Sequence, residues 1–145
     1  NINITASFTV YDSVNELPEA VNKLMQKAVE ARKKAYAPYS RFRVGAALEL
    51  DNGQTVQGSN QENAAYPSGL CAERGAVFHA GAVYPEAKIL RLAISAASDD
   101  KIVDAPIPPC GACRQSIAEY EFKLFIAYSK GIFNKSLSFY SKYFA

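Results

Sequence analysis

Hydrophobic residues take alternate positions at the start of the chain. Ile2, Ile4, Ala6, Phe8 and Val10 lie between mostly polar neighbours, which predicts a half-buried strand over residues 2–11. The period then changes. After Pro18, a residue suited to a first helical turn, Val21, Leu24, Met25, Ala28, Ala31, Arg32 and Ala35 recur at helical spacing. This helix must end before Pro38, because the residue ahead of a proline avoids the α conformation. Lys23, Lys27, Glu30 and Lys34 mark its solvated face. Ala37 to Ser40 read as a turn and Phe42 to Leu50 as a strand. Asn52-Gly53 suits a tight hairpin turn, so Thr55 to Asn60 returns as the paired strand. Residues 71–82 form the next helix, and its small residues Ala72, Gly75, Ala76 and Ala80 allow close packing on a sheet. Ile89 to Ala97 is a nearly continuous apolar run, as expected of a central strand covered on both faces. A proline-rich loop over 99–109, a helix over 111–120 and a strand over 122–128 follow, with a turn at Ser129-Lys130-Gly131.

Helices alternating with strands make this an α/β protein: a three-layer α/β/α sandwich around a central mixed sheet. At 145 residues the chain is expected to be one domain, 1–145. The last stretch, Ile132 to Ala145, holds Phe133, Phe139, Tyr140, Tyr143 and Phe144. Exposed apolar surface costs about 25 cal/mol per Å², so this segment is expected to pack against another subunit.

Charge narrows the functional classes. Sixteen basic and 14 acidic residues leave a net charge of +2, too even for a nucleic-acid or membrane-binding surface. The first residues lack the basic head and apolar run of a signal peptide, and no segment reaches the length of a membrane span. Three cysteines, one pair of them spaced C-x-x-C, argue for a metal site in a reducing, cytoplasmic compartment rather than for disulfides.

Those cysteines carry the chemistry. Cys71-Ala72-Glu73-Arg74 opens one helix, and Pro109-Cys110-Gly111-Ala112-Cys113-Arg114 opens another. A C-x-x-C pair at a helix start puts two sulfurs on one side of a metal ion, and Cys71 supplies a third. Three protein ligands leave the fourth tetrahedral position open, as in catalytic rather than structural zinc sites. Glu73 is placed to exchange protons with whatever occupies that position. Three thiolates make a zinc site net negative, which opposes ionisation of a bound water. The positive helix ends and the neighbouring guanidiniums of Arg74 and Arg114 are available to offset this. His79 lies about 12 Å further along the helix from Cys71, so it is not expected to be a ligand. Cys-Ala-Glu followed by Pro-Cys-x-x-Cys matches the three-cysteine form of the zinc deaminase signature.

The wider sequence resembles the homo-oligomeric cytidine deaminases of pyrimidine salvage. The resemblance runs from about Leu24 to Gln115, and more loosely to Phe144. Besides the cysteine motifs it rests on Tyr36-Ala37-Pro38-Tyr39-Ser40, Phe42-Arg43-Val44-Gly45-Ala46-Ala47 and Asn60-Gln61-Glu62-Asn63-Ala64. It implies that Cys71, Cys110 and Cys113 hold one zinc ion per chain and that Glu73 shuttles protons. It implies that Asn60 and Glu62 bind the ribose 3′-hydroxyl, that Phe42 lies against the nucleoside, and that the Ala72 N–H bonds the pyrimidine O2. It further implies a tetramer with shared active sites, in which Tyr66 and Phe144 reach across to a neighbour. The stretch Phe139-Tyr140-Ser141 departs from the Leu-Leu-Pro that usually precedes the family's tail phenylalanine.

The expected activity is hydrolytic deamination of cytidine and deoxycytidine to uridine, deoxyuridine and ammonia. An alternative is a relative acting on another cytosine compound, such as a nucleoside antibiotic. Such relatives share the zinc motifs but lack the Asn-x-Glu-Asn run present here at residues 60–63. A polynucleotide editor needs a basic channel and an open pocket, which the charge balance and a sugar-capping Glu62 oppose. Glu73 beside an open metal position argues against a non-enzymatic zinc module.

Overall fold

A computed structural model describes residues 9–120, 125–130 and 138–142, the last two segments through their backbone. Six strands form one sheet in the order β1-β6-β5-β4-β2-β3. These are β1 (Val10–Tyr11), β2 (Phe42–Leu50), β3 (Thr55–Ser59), β4 (Ile89–Ser98), β5 (Phe125–Lys130) and β6 (Ser138–Lys142). The β4–β5 pair is parallel and the other pairs are antiparallel, so the sheet is mixed. Three helices cover it: α1 (Glu19–Arg32), α2 (Ala72–Val83) and α3 (Gly111–Tyr120). No helix among the described residues is long and apolar enough to cross a membrane.

The layers follow from the alternation of β2. Ala46, Leu48 and Leu50 face α2 and α3, packing with Ala72, Ala76, Val77, Ala80 and Ile117. Ala47 faces the other way, with Ala93 and the α1 residues Leu24, Met25 and Ala28. Two glycines decide how closely the helices approach. A Cβ on Gly45 would lie 2.1 Å from the Ala28 carbonyl oxygen of α1. A Cβ on Gly58 would lie 2.4 Å from the Ala72 carbonyl oxygen and 2.5 Å from the Ala76 nitrogen of α2. Of the small residues expected to allow close packing of α2, Ala72, Ala76 and Ala80 are buried against the sheet, whereas Gly75 is not at the contact. A Cβ on Gly75 would meet nothing closer than 3.8 Å.

The apolar run of β4 is central, with Leu92 to Ala96 all buried. Pro18 lies just ahead of α1, and its carbonyl accepts from the Val21 and Asn22 N–H groups at 2.9 Å each. Two expectations shift. Ser129 and Lys130, read as a turn, continue β5, because parallel pairing with Ser95 and Ala96 of β4 carries the ladder past the local turn signal. The terminal segment, read as packing against another subunit, has residues 138–142 paired through their backbone in this chain's own sheet, between β5 and β1. Of the strand expected over residues 2–11, only Val10–Tyr11 is a described strand, and residues 1–8 lie outside the described residues. Residues 121–124 and Phe133, Tyr143 and Phe144 also lie outside them.

Candidate active site

Two helix starts bring the three cysteines together. Cys71 is the residue just ahead of α2, its carbonyl accepting from the Gly75 N–H at 3.0 Å. Cys110 does the same for α3, accepting from the Arg114 N–H at 2.9 Å, and Cys113 lies in the first turn. Cys71 Sγ is 3.8 Å from Cys110 Sγ, which is 3.4 Å from Cys113 Sγ. All three sulfurs lie within 4.8 Å of one another. Zinc–sulfur bonds of about 2.3 Å at tetrahedral angles hold sulfurs roughly 3.8 Å apart, so the donor set fits zinc. The cluster contains no histidine or carboxylate, and His79 is exposed on α2 away from it. Three donors leave one tetrahedral position for water or substrate.

The surrounding charges act on these thiols unequally. A hydrogen bond from Cys113, helped by the Arg74 guanidinium, pushes the Cys71 thiol down to about 5. Cys113 is pushed up, because that same bond holds its proton and burial adds to the effect. Arg74 is half-buried, and its Nε is buried with no hydrogen-bond partner among the described residues. It therefore has donor capacity to spend on the thiolates beside it. Arg114, equally plausible from sequence, is exposed, and no hydrogen bond or ion pair of its side chain is found among the described residues.

Glu73 sits in the first turn of α2 and is 6% exposed. Burial raises its pKa, and the negative charge on Cys71 adds to the rise. A carboxyl held in this way is a better proton acceptor than one in water. It lines a cavity of about 430 Å³ whose wall also includes Phe42, Val44, Ala72, Ile94, Ile107 and Cys110. That volume is in the range of small-molecule sites. Phe42 is half-buried in the wall. Ala72 is fully buried at the first position of α2, where a backbone N–H has no intrahelical acceptor.

Asn60 and Glu62 also line this cavity, and each holds the wall together. Asn60 Oδ1 accepts from the Val44 N–H at 2.7 Å, and its Nδ2 donates to the Phe42 carbonyl at 2.9 Å. Glu62 Oε2 accepts the N–H groups of Tyr39 at 2.9 Å and Ser40 at 3.2 Å. Its Oε1 accepts the Ser40 hydroxyl. These bonds, that from the hydroxyl foremost, keep the Glu62 carboxyl below the usual range. Sequence reasoning placed both side chains at the site but saw neither set of partners. It read Ser40 as a turn residue within a family motif and gave it no role at the site, since a serine two residues ahead of a strand is too common a signal to single out.

A second cavity, of about 470 Å³, adjoins the first and shares Ser40, Asn60, Glu62 and Cys71 with it. Tyr39, Tyr66, Leu70 and Arg74 line its outer part. Tyr66 is 77% exposed and meets Tyr39 edge to face, with ring centroids 6.3 Å apart. It does not line the cavity that contains Phe42 and Glu73. Phe144 lies outside the described residues.

Residues 18–129 match the family model of the cytidine and deoxycytidylate deaminase zinc-binding region. The chain belongs to this family. Cytidine deaminase of Halalkalibacterium halodurans is 49% identical over 96 residues, which are 66% of this chain and 68% of that one. Cytidine deaminase of Sporosarcina psychrophila is 44% identical over 100 residues, 69% of each chain. The crystal structure of cytidine deaminase from Burkholderia pseudomallei superposes with a TM-score of 0.68 at 35% identity, over 84% of this chain and 91% of that one. The family model is that of a zinc-binding region, and the cluster of Cys71, Cys110 and Cys113 could hold that zinc.

Proposed function

We propose that this chain, acting as a single domain, is a zinc-dependent deaminase of cytidine and deoxycytidine, releasing uridine or deoxyuridine and ammonia. One observation carries the reading: a three-thiol metal cluster shares a nucleoside-sized cavity with a buried carboxyl, in a chain 49% identical to a cytidine deaminase. Cys71, Cys110 and Cys113 hold the zinc, which when bound acts as a Lewis acid and lowers the pKa of water. Glu73 takes a proton from the attacking water and delivers it to N3 of the base. A C4–O bond forms and C4 becomes tetrahedral. Glu73 then moves the hydroxyl proton to the amino group, the C4–N bond breaks, and ammonia leaves. A buried carboxyl with a raised pKa suits both directions of transfer.

Phe42 offers an apolar face to the base, the Ala72 N–H bonds the pyrimidine O2, and Arg74 offsets thiolate charge. Asn60 and Glu62 bind the sugar with the donor and acceptor capacity left over from their own backbone bonds. That pair favours a nucleoside over another cytosine compound, which would have no use for a sugar-binding carboxylate. We also propose that four subunits assemble and share sites, with Tyr66 and Phe144 serving a neighbour. The exposure of Tyr66 at the rim supports this role, and native mass measurement tests the assembly. For the activity itself, purified protein is mixed with cytidine and followed by the ultraviolet change that accompanies uridine formation. Turnover with about one zinc per chain is expected. Zinc-loaded protein that leaves cytidine and deoxycytidine unchanged would overturn the assignment.

A further inference from the structure

The loop between α1 and β2 carries a residue with two jobs at the cavity. Ser40 Oγ accepts the Phe42 N–H at 3.1 Å and donates its own proton to Glu62 Oε1. Its hydroxyl thus hydrogen-bonds both the Glu62 carboxylate and the backbone of Phe42. A carboxylate has about four acceptor directions. Two are taken on Oε2 by the Tyr39 and Ser40 N–H groups, and one on Oε1 by the Ser40 hydroxyl. The remaining direction is on Oε1, in a residue that lines the cavity. Residues 60–62 are themselves tied to Tyr36 by two backbone bonds, Tyr36 N–H to the Asn60 carbonyl at 3.0 Å and Glu62 N–H to the Tyr36 carbonyl at 2.8 Å. The carboxylate is therefore held at its backbone by one segment and at its oxygens by Ser40 and its neighbour.

We infer that Ser40 is a positioning residue for sugar recognition: its hydroxyl orients the Glu62 carboxylate so that one Oε1 acceptor direction meets a hydroxyl of the substrate's sugar. This rests on the nucleoside reading above. Without the Ser40 hydroxyl, Oε1 has two open directions and no partner to choose between them. The side chain then turns about its last bond while Oε2 keeps its backbone donors. The loss falls on substrates that offer a hydroxyl to Glu62, and not on the zinc centre.

The test is a cycle of two substrates against three proteins. Wild type, Ser40→Ala and Ser40→Thr are assayed with cytidine and with 3′-deoxycytidine, and zinc content and melting temperature are measured for each. Ser40→Ala is expected to lose about tenfold in kcat/KM for cytidine, mostly through KM, as expected for loss of a charge-assisted hydrogen bond. It is expected to lose almost nothing for 3′-deoxycytidine. Ser40→Thr keeps the hydroxyl at an exposed position and is expected to restore cytidine turnover. Equal losses on the two substrates, with or without a fall in zinc content, would overturn the positioning role. So would a threonine variant no better than alanine. Wild-type protein inactive on both substrates would instead bring down the nucleoside reading itself, and this inference with it.

Discussion

Gly58→Ala is expected to damage the active site without touching it. Gly58 lies in β3 beneath α2, whose first residues are the zinc ligand helix start, Ala72 and Glu73. The new Cβ would lie 2.4 Å from the Ala72 carbonyl oxygen and 2.5 Å from the Ala76 nitrogen. Both are backbone atoms, so no side chain can rotate away. Ordinary contact begins near 3.4 Å, which leaves the helix start to move by about 1 Å. Overpacking of this kind costs about 1–3 kcal/mol, or roughly 3–10 °C in melting temperature for a domain of this size. The catalytic cost is larger, since a displacement of about 1 Å is worth roughly 100-fold in rate. Gly45→Ala provides the comparison. Its Cβ would lie 2.1 Å from the Ala28 oxygen and 2.2 Å from the Arg32 nitrogen, on the other face of the sheet. The similar strain there falls on α1, which carries none of the proposed site residues. Both variants are expected to melt earlier, but only Gly58→Ala is expected to lose kcat among its folded, zinc-loaded molecules. Thermal denaturation, zinc analysis and steady-state kinetics on the two proteins decide the matter. Wild-type kcat in Gly58→Ala, or an equal loss of kcat in Gly45→Ala, would refute the argument that close approach of α2 sets the catalytic geometry.

Other outcomes follow from the site. Glu73→Ala is expected to lower kcat by at least about 10²–10⁴-fold with zinc content unchanged; near-normal turnover would remove Glu73 from the mechanism. Cys110→Ser is expected to lose both zinc and activity, because a hydroxyl replaces a thiolate poorly, and one zinc per chain in that variant would count against the ligand set. Glu62→Gln is expected to lower kcat/KM for cytidine by about ten- to a hundredfold while zinc stays bound and the poor turnover of free cytosine falls no further. Equal effects on cytidine and cytosine would mean that Glu62 serves only the Tyr39–Ser40 turn.

The chemistry of this protein is legible in short stretches of its sequence, because a metal site built on helix starts uses local spacing. Cys110 and Cys113 are one turn apart, and Glu73 follows Cys71 by two residues, so the proposed ligands and proton carrier stand out before any fold is known. The strands and helices are legible for a similar reason: β2, β4 and α3 show their periods within ten residues or so. What the chain could not show locally is what its distant segments do to each other. Asn60 and Glu62 read as two free polar groups sharing a face, yet the fold spends much of their bonding capacity on residues 16 to 23 positions away. Arg74 and Arg114 each follow a cysteine closely, and only the fold separates a half-buried guanidinium, its Nε buried, from an exposed one. Residues 138–142 carry aromatics whose composition suggests a docking surface, and composition alone did not show that their backbone pairs with β5 and β1. Gly58 looks like any glycine in a weak strand until α2 is laid across it. Local composition specifies which groups can react; hydrogen-bond register and steric contact between remote segments specify where those groups stand.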